Sequence, residues 1–207
     1  MSFDINKVKD SHLDILKEIG NIGAGHAATA LSKIIQKPID MNVPSVDMLN
    51  FGDLEKLFSE EESVVVGIFL RLDGSIKANL FYIMPVITAK ELLGKFFKNG
   101  VTTGLDFSEI EISALLELGN ILAGSYITSL ADFTNLTMYP SVPSMTIDLA
   151  NAILGFGLIP ISQVSDVAIL INTRFIEGEN YLEGQLFLIP DPDAYAILFS
   201  SLGAPLI

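Results

Sequence analysis

Four residues in this 207-residue chain have the types and spacing to do chemistry together: Glu18 with Asn21, and Glu117 with Asn120. In each pair the acid stands three positions before the amide, so on a helix the two side chains sit about one turn apart on one face. Asp14 extends the first polar stripe by a turn and Ser113 extends the second, within an arc of roughly 60°. A carboxylate beside an amide is poor equipment for covalent attack. The amide is neither acid nor base near neutral pH, but it can hold a water by donating one hydrogen bond and accepting another. Such a group suits a reaction whose difficulty is aligning a nucleophilic water. Phosphoryl hydrolysis is the leading case, because positioning and electrostatics supply nearly all of its catalysis. The carboxylate would then be available to dock on a lysine of a partner. The plainer alternative is a solvated helix face copied by gene duplication, and retention of Glu and Asn in both copies favours the working surface over it.

Other chemistries are poorly served. The chain has no cysteine, which removes disulfides, thiolate zinc sites and thiol nucleophiles. His12 and His26 are its two histidines; both are expected to be structural, His26 towards the buried side with Ser125 as its counterpart. No cluster of His and acid residues has the spacing of a metal site, so no metal or cofactor of its own is expected. Gly20, Gly23 and Gly25 fall inside a helical pattern rather than between strand and helix, which points to close backbone packing instead of a phosphate loop. A net charge of −13 argues against nucleic acid and against anionic membrane surfaces, and favours a partner with a basic face. Half of the residues are hydrophobic, yet the longest apolar runs, 64–70 and 152–161, fall short of the roughly 20 residues a spanning helix needs. No membrane insertion is expected. Residues 1–10 lack the apolar stretch of a signal peptide, and the cytoplasm is the expected location.

The elements that must position the pairs repeat with them. Residues 14–25 recur at 113–124, each lying 99 positions after its counterpart (113 after 14, 117 after 18, 120 after 21), and Val43-Pro44-Ser45 recurs as Val142-Pro143-Ser144 at the same offset. That is an internal duplication: one domain, 1–207, built of two repeats of about 10–99 and 106–207, with a linker around Asn99-Gly100 and Thr102-Thr103-Gly104. The spacing predicts a helix from Asp10 or Ser11, either able to cap it, to about Gln36, and a second over 107–133. Opposite the polar stripes, Ile15, Leu16, Ile19 and Ile22, and Ala114, Leu115, Leu118 and Ile121, form the apolar faces. Strands follow at 39–49, with Pro44 at an edge or bulge, and at 136–147. Hairpins are expected over 64–72 and 75–84 across Asp73-Gly74, and over 167–176 and 181–189. Shorter helices are expected at 53–58, 86–98 and 193–202. Residues 148–159 read as an apolar helical insert of the second half only. The fold class is α/β: a duplicated, pseudo-twofold arrangement with a largely antiparallel sheet flanked by two long helices.

The paired motifs Glu18-Ile19-Gly20-Asn21-Ile22-Gly23-Ala24-Gly25 and Glu117-Leu118-Gly119-Asn120-Ile121-Leu122-Ala123-Gly124 resemble the CheC family of chemotaxis phosphatases. The resemblance spans essentially the whole chain. It implies hydrolysis of the phospho-aspartate of a CheY-type response regulator, with Asn21 and Asn120 orienting the water. Glu18 and Glu117 then pair with a lysine of the regulator, while Asp14 and Ser113 hold neighbouring groups in place. It implies that magnesium belongs to the regulator. It also implies binding to the receptor deamidase CheD, through the region of Ile147, Asp148 and Leu149 with Asp148 as the acidic contact. CheX carries one active motif per chain and dimerises; a duplicated chain already holds that symmetry, so a monomer is expected. The alternative from another class is a non-catalytic adaptor of the chemotaxis or flagellar switch system, like FliM or FliY, that binds CheD or a regulator. Because Lys17 in the first copy aligns with Leu116 in the second, the two sites are expected to differ.

Overall fold

Phe81 lies opposite Phe187 on two antiparallel strands, and the rest of the molecule is arranged about that pair. On either side, Leu80 faces Leu188 and Tyr82 faces Leu186. A shift of 106 positions (80 to 186, 81 to 187, 82 to 188) turns each of these contacts into the other, so a twofold axis passes between the two phenylalanines. The computed structural model describes residues 8–50, 52–53, 64–97, 100–153 and 167–203.

In chain order the elements are α1 (Asp10–Ile35), β1 (Asp40–Asn42), β2 (Val46–Asn50), β3 (Val64–Gly74), β4 (Ala78–Pro85), α2 (Val86–Phe96), α3 (Glu109–Thr134), β5 (Met138–Pro140), β6 (Ser144–Leu149), β7 (Val167–Glu177), β8 (Asn180–Pro190) and α4 (Pro192–Ser201). They build one eight-stranded sheet in which β1 and β2 share β7, then β8, β4 and β3 follow, and β5 and β6 share β3. Every pairing among the described residues is antiparallel. The expected architecture is therefore observed.

Alternation along the strands divides the apolar residues between two faces. Ile68, Leu70, Leu80, Tyr82, Ile169 and Leu188 join the buried faces of all four helices in one core. Val65, Phe81, Ile83, Leu170, Phe187 and Ile189 form a second cluster on the opposite face, where Ala150 and Ile153 cover them. α3 is the one described helix long and apolar enough to cross a membrane, although no uninterrupted apolar run announced it. Leu115, Leu118, Leu122 and Leu130 on one side of it are buried in the main core, while Ile110 and Phe133 are exposed.

Several boundaries differ from the sequence reading. The cap of α1 is Lys9, and the bond that closes it runs from the Lys9 amide to His12 Nδ1 at 2.8 Å, so neither Asp10 nor Ser11 serves as the cap. Both long helices end in the same way, on a left-handed residue: Gln36 with φ 58° and Asn135 with φ 55°. Each single strand expected after a long helix is two. Between the pairs Asn42–Arg174 and Val46–Ile171, residues 43–45 face only 172–173; between Leu72–Pro140 and Phe69–Ser144, residues 141–143 face only 70–71. These are one-residue bulges at the two Val-Pro-Ser segments. The first hairpin turns at 75–77, beyond Asp73-Gly74, because β5 pairs with those residues: Gly74 lies opposite Met138 at φ +126°, and a Cβ there would stand 2.2 Å from the Thr137 carbonyl oxygen. The helical insert begins later than expected, since Asp148 and Leu149 belong to β6 and helical geometry starts at Ala150; residues beyond Ile153 in that expectation lie outside the described residues. Of the expected turn over 53–58, Asp53 is helical and the remainder lies outside them.

Candidate functional site

The two polar stripes sit where the helical spacing places them. Asp14 and Glu18 on α1, and Ser113, Glu117 and Asn120 on α3, are exposed, and Asn21 is half-buried. Opposite them Leu16, Ile19, Leu115 and Leu118 are buried in the core. Ile22 departs from its expected place: it is 45% exposed, so the apolar arc of α1 is narrower than the spacing implied. The Ser113 hydroxyl donates back to the Glu109 carbonyl at 2.8 Å, a bond within its own helix that leaves Glu117 unsupported by it. His26 is exposed rather than buried, with Nδ1 3.4 Å from the Ser129 hydroxyl, and His12 is the buried one, edge-on to Phe199. Among the described residues no group of three or more His, Asp or Glu is placed to hold a metal ion.

The two amides are not equivalent. The Val43 N–H donates to Asn21 Oδ1 at 2.9 Å, while Asn21 Nδ2 donates to the Lys17 carbonyl at 3.0 Å and to the Val43 carbonyl at 3.4 Å. Both amide protons and one lone pair of Asn21 are thus occupied by its own chain. The N–H of Val43 also fixes which end of the carboxamide is oxygen, since only an acceptor can face it. The Asn120 side chain is exposed and makes no hydrogen bond to another described residue.

The difference traces to one residue in each bulge. Val43 is 1% exposed and packs over Gly20, where an added Cβ would lie 3.2 Å from Val43 Cγ2. Its counterpart Val142 is 88% exposed. The space beside Gly119 is taken by Ile68 of β3, whose Cγ2 a Cβ there would meet at 2.6 Å. Of the clustered glycines, Gly23 serves close helix contact, within 3.0 Å of Tyr126 by the same construction, whereas Gly25 meets nothing within 4 Å.

A network unforeseen from the sequence holds the start of α3. Buried Glu111 accepts from the Ser108 amide at 2.7 Å, the Ser108 hydroxyl at 2.9 Å, the Thr102 amide at 2.7 Å and the Thr102 hydroxyl at 2.6 Å. Burial pushes its carboxyl up, but these donors together outweigh burial and bring it down to about 2. Lys90 reaches the same Thr102 hydroxyl at 2.6 Å and lies 3.7 Å over the Phe107 ring. The spacing Ser108-x-x-Glu111 is a capping box and was the available signal.

Asp148 stands at the exposed end of β6 opposite Val65, and its carboxylate accepts from the Leu149 amide at 2.8 Å. It is on a different element from either stripe. Two clefts, of about 410 and 620 Å³, are formed largely around the β7–β8 hairpin, and neither includes a residue of the stripes. The stripes are outward helix faces, which suit a protein surface better than a small molecule.

Comparison with known proteins agrees with this arrangement. The CheC-like family matches residues 12–48 and 110–147, one segment per repeat, each holding a helix motif and its Val-Pro-Ser bulge. The chain is 40% identical over 205 residues to the CheY-P phosphatase CheC of Bacillus subtilis (strain 168), covering 97% of this chain and 98% of that protein. Thermotoga maritima FliY shares the fold, with a TM-score of 0.76 at 20% identity over 95% of this chain and 98% of the other. The FliM middle domain from H. pylori follows with a TM-score of 0.66 at 13% identity, covering 94% and 99%. With both repeats matched and a relative of this similarity aligned along nearly its whole length, the chain belongs to the CheC-like family.

Proposed function

We propose that this protein is a phosphatase acting on the phospho-aspartate of a CheY-type response regulator in chemotaxis. The observation that carries the reading is the Glu117–Asn120 pair, an exposed carboxylate and an exposed, unpartnered carboxamide one turn apart on a rigid helix. The 40% identity to a CheY-P phosphatase supports it.

In this reading Asn120 enters the regulator's active site and holds a water with one acceptor and one donor bond, aimed at phosphorus. The water oxygen forms a bond to phosphorus, the bond from phosphorus to the aspartate oxygen breaks, and the aspartate leaves as a carboxylate. Products are inorganic phosphate and the unmodified regulator, with the water's proton passing to phosphate or solvent. The acyl phosphate has a good leaving group, so no acid from this chain is required. Glu117 docks on a lysine of the regulator and fixes the approach. Glu18 and Asn21 form the corresponding second site, with Asp14 and Ser113 flanking. Any magnesium comes with the regulator and neutralises phosphoryl charge. A second surface at Asp148 binds the deamidase CheD.

The test is the decay of a ³²P-labelled CheY-type regulator with magnesium, with and without the protein and its Asn21→Ala/Asn120→Ala variant. Faster decay that disappears in the folded double variant is the expected result. Equal decay with and without the wild-type protein, also in the presence of CheD, would sink the reading and leave a non-catalytic adaptor.

A further inference from the structure

We propose that Val43 is a positioning residue that holds the first site closed. Its peptide groups occupy the Asn21 carboxamide, so Asn21 can orient a water only when residues 43–45 lift away. The Glu117–Asn120 site, by contrast, stands ready in the resting protein. The inference deepens the phosphatase reading and rests on it for its kinetic consequence, though not for its structural one.

The pseudo-symmetry supplies the comparison that makes the argument. Both repeats carry the same helix motif, the same Val-Pro-Ser segment and the same one-residue bulge against the adjoining strand. They differ in where the valine goes. In the first, Val43 is buried against Gly20 and bonds Asn21 through both its N–H and its carbonyl. In the second, Ile68 takes the place beside Gly119, Val142 is 88% exposed, and Asn120 is left without a partner. The second repeat therefore displays the open conformation that the first must reach.

The latch has moderate strength by its chemistry. Asn21 uses three bonds to its own chain, two of them to Val43. A water can be oriented by one acceptor and one donor, so releasing Val43 alone suffices; the Lys17 carbonyl can keep one amide proton and still leave the other free. Bulged segments are also the part of a sheet that can move without breaking a continuous ladder. The device separates a standing site from one that a change at residues 43–45 would switch on.

Two measurements on the full chain decide it. In ¹⁵N–¹H spectra of the free protein, the Asn21 side-chain amide protons should exchange with solvent at least about tenfold more slowly than those of Asn120. Equal exchange of the two amides overturns the latch, whatever the enzymatic result. In the ³²P-regulator assay, Asn120→Ala should lose most of the acceleration. Adding Val43→Gly, which removes the side chain that anchors residues 43–45 over Gly20 and so frees both the N–H and the carbonyl of residue 43 to leave Asn21, should raise the residual rate at least about threefold. A folded Asn120→Ala/Val43→Gly protein no faster than Asn120→Ala overturns the proposal. If wild type gives no acceleration, the phosphatase reading has failed, and the exchange comparison still decides whether Val43 holds Asn21.

Discussion

The Asn21 carboxamide and the Val43 peptide bond each other in both directions, at 2.9 Å from Val43 N–H to Oδ1 and 3.4 Å from Nδ2 to the Val43 carbonyl. Nothing equivalent joins Asn120 to Val142. The two asparagines should consequently differ in what they contribute to stability. Asn21→Ala strands the N–H of a residue that is 1% exposed, and an unsatisfied buried donor costs about 1–3 kcal/mol. Asn120→Ala truncates an exposed side chain and should stay within about 0.5 kcal/mol of wild type. Urea denaturation of the two single variants measures the difference directly. Equal midpoints would show that the Asn21 amide is not structural.

Two glycines of α1, two residues apart, should respond to alanine with opposite sign. At Gly25 an added Cβ meets nothing within 4 Å, so Gly25→Ala should gain the helix-propensity difference of roughly 0.5–1 kcal/mol. At Gly23 the Cβ would come within 3.0 Å of Tyr126 Cα, a backbone atom that cannot swing aside. Gly23→Ala should therefore force α1 and α3 apart and lower the melting temperature by several degrees, since overpacking typically costs 1–3 kcal/mol. A pair of thermal melts suffices, and a stabilised Gly23→Ala would contradict the close crossing.

The features legible in the sequence were those that repeat. A constant offset of 99 residues located both stripes, both long helices and both Val-Pro-Ser segments, because period survives from chain to fold. What the sequence did not disclose depends on neighbours remote in the chain. Val43 and Val142 are the same residue in the same local motif, yet Val43 lies over Gly20, whereas Ile68 lies beside Gly119 and Val142 is exposed. The turn expected at Asp73-Gly74 falls farther along for the same reason: that pair usually makes a tight turn, but here it pairs with Tyr139 and Met138 of β5. Asp148 read as helical because its apolar surroundings suit either state, and pairing with Val65 settles it as strand. His26 looked buried from α1 alone, whereas contacts from α3 determine how much of it is covered.

Acid should loosen the start of α3 through Glu111. Its folded-state carboxyl titrates at about 2, below an ordinary value of 4.5, so its contribution is complete above pH 4.5 and is lost as pH falls towards 2. Glu111→Gln removes that titration while retaining a similar shape, though not the charge that four donors from Thr102 and Ser108 satisfy. The variant should be less stable at pH 7, and the gap between it and wild type should narrow steadily below pH 4.5. Denaturation midpoints at several pH values read this out. A gap that stays constant across the range would mean that the carboxylate is not held in its charged form by the cap.

If a basic partner docks at Asp148, its loss should be separable from catalysis. Asp148 lies on β6, an element distinct from the α1 and α3 stripes, and its exposed carboxylate accepts from Leu149 N–H at 2.8 Å. Reversing the charge in Asp148→Lys removes an attraction and adds a repulsion, and truncating or reversing a charge within an interface commonly costs 2 kcal/mol or more. Binding of CheD should weaken by at least about thirtyfold. Hydrolysis of the labelled regulator measured without CheD should stay at the wild-type rate, because the helix faces proposed to meet the regulator are untouched. The same substitution leaves β6 paired with β3 from Phe69–Ser144 to Val64–Leu149, so the spectrum of the folded state should be preserved. Unchanged CheD affinity in a folded Asp148→Lys protein would move the contact elsewhere on the chain.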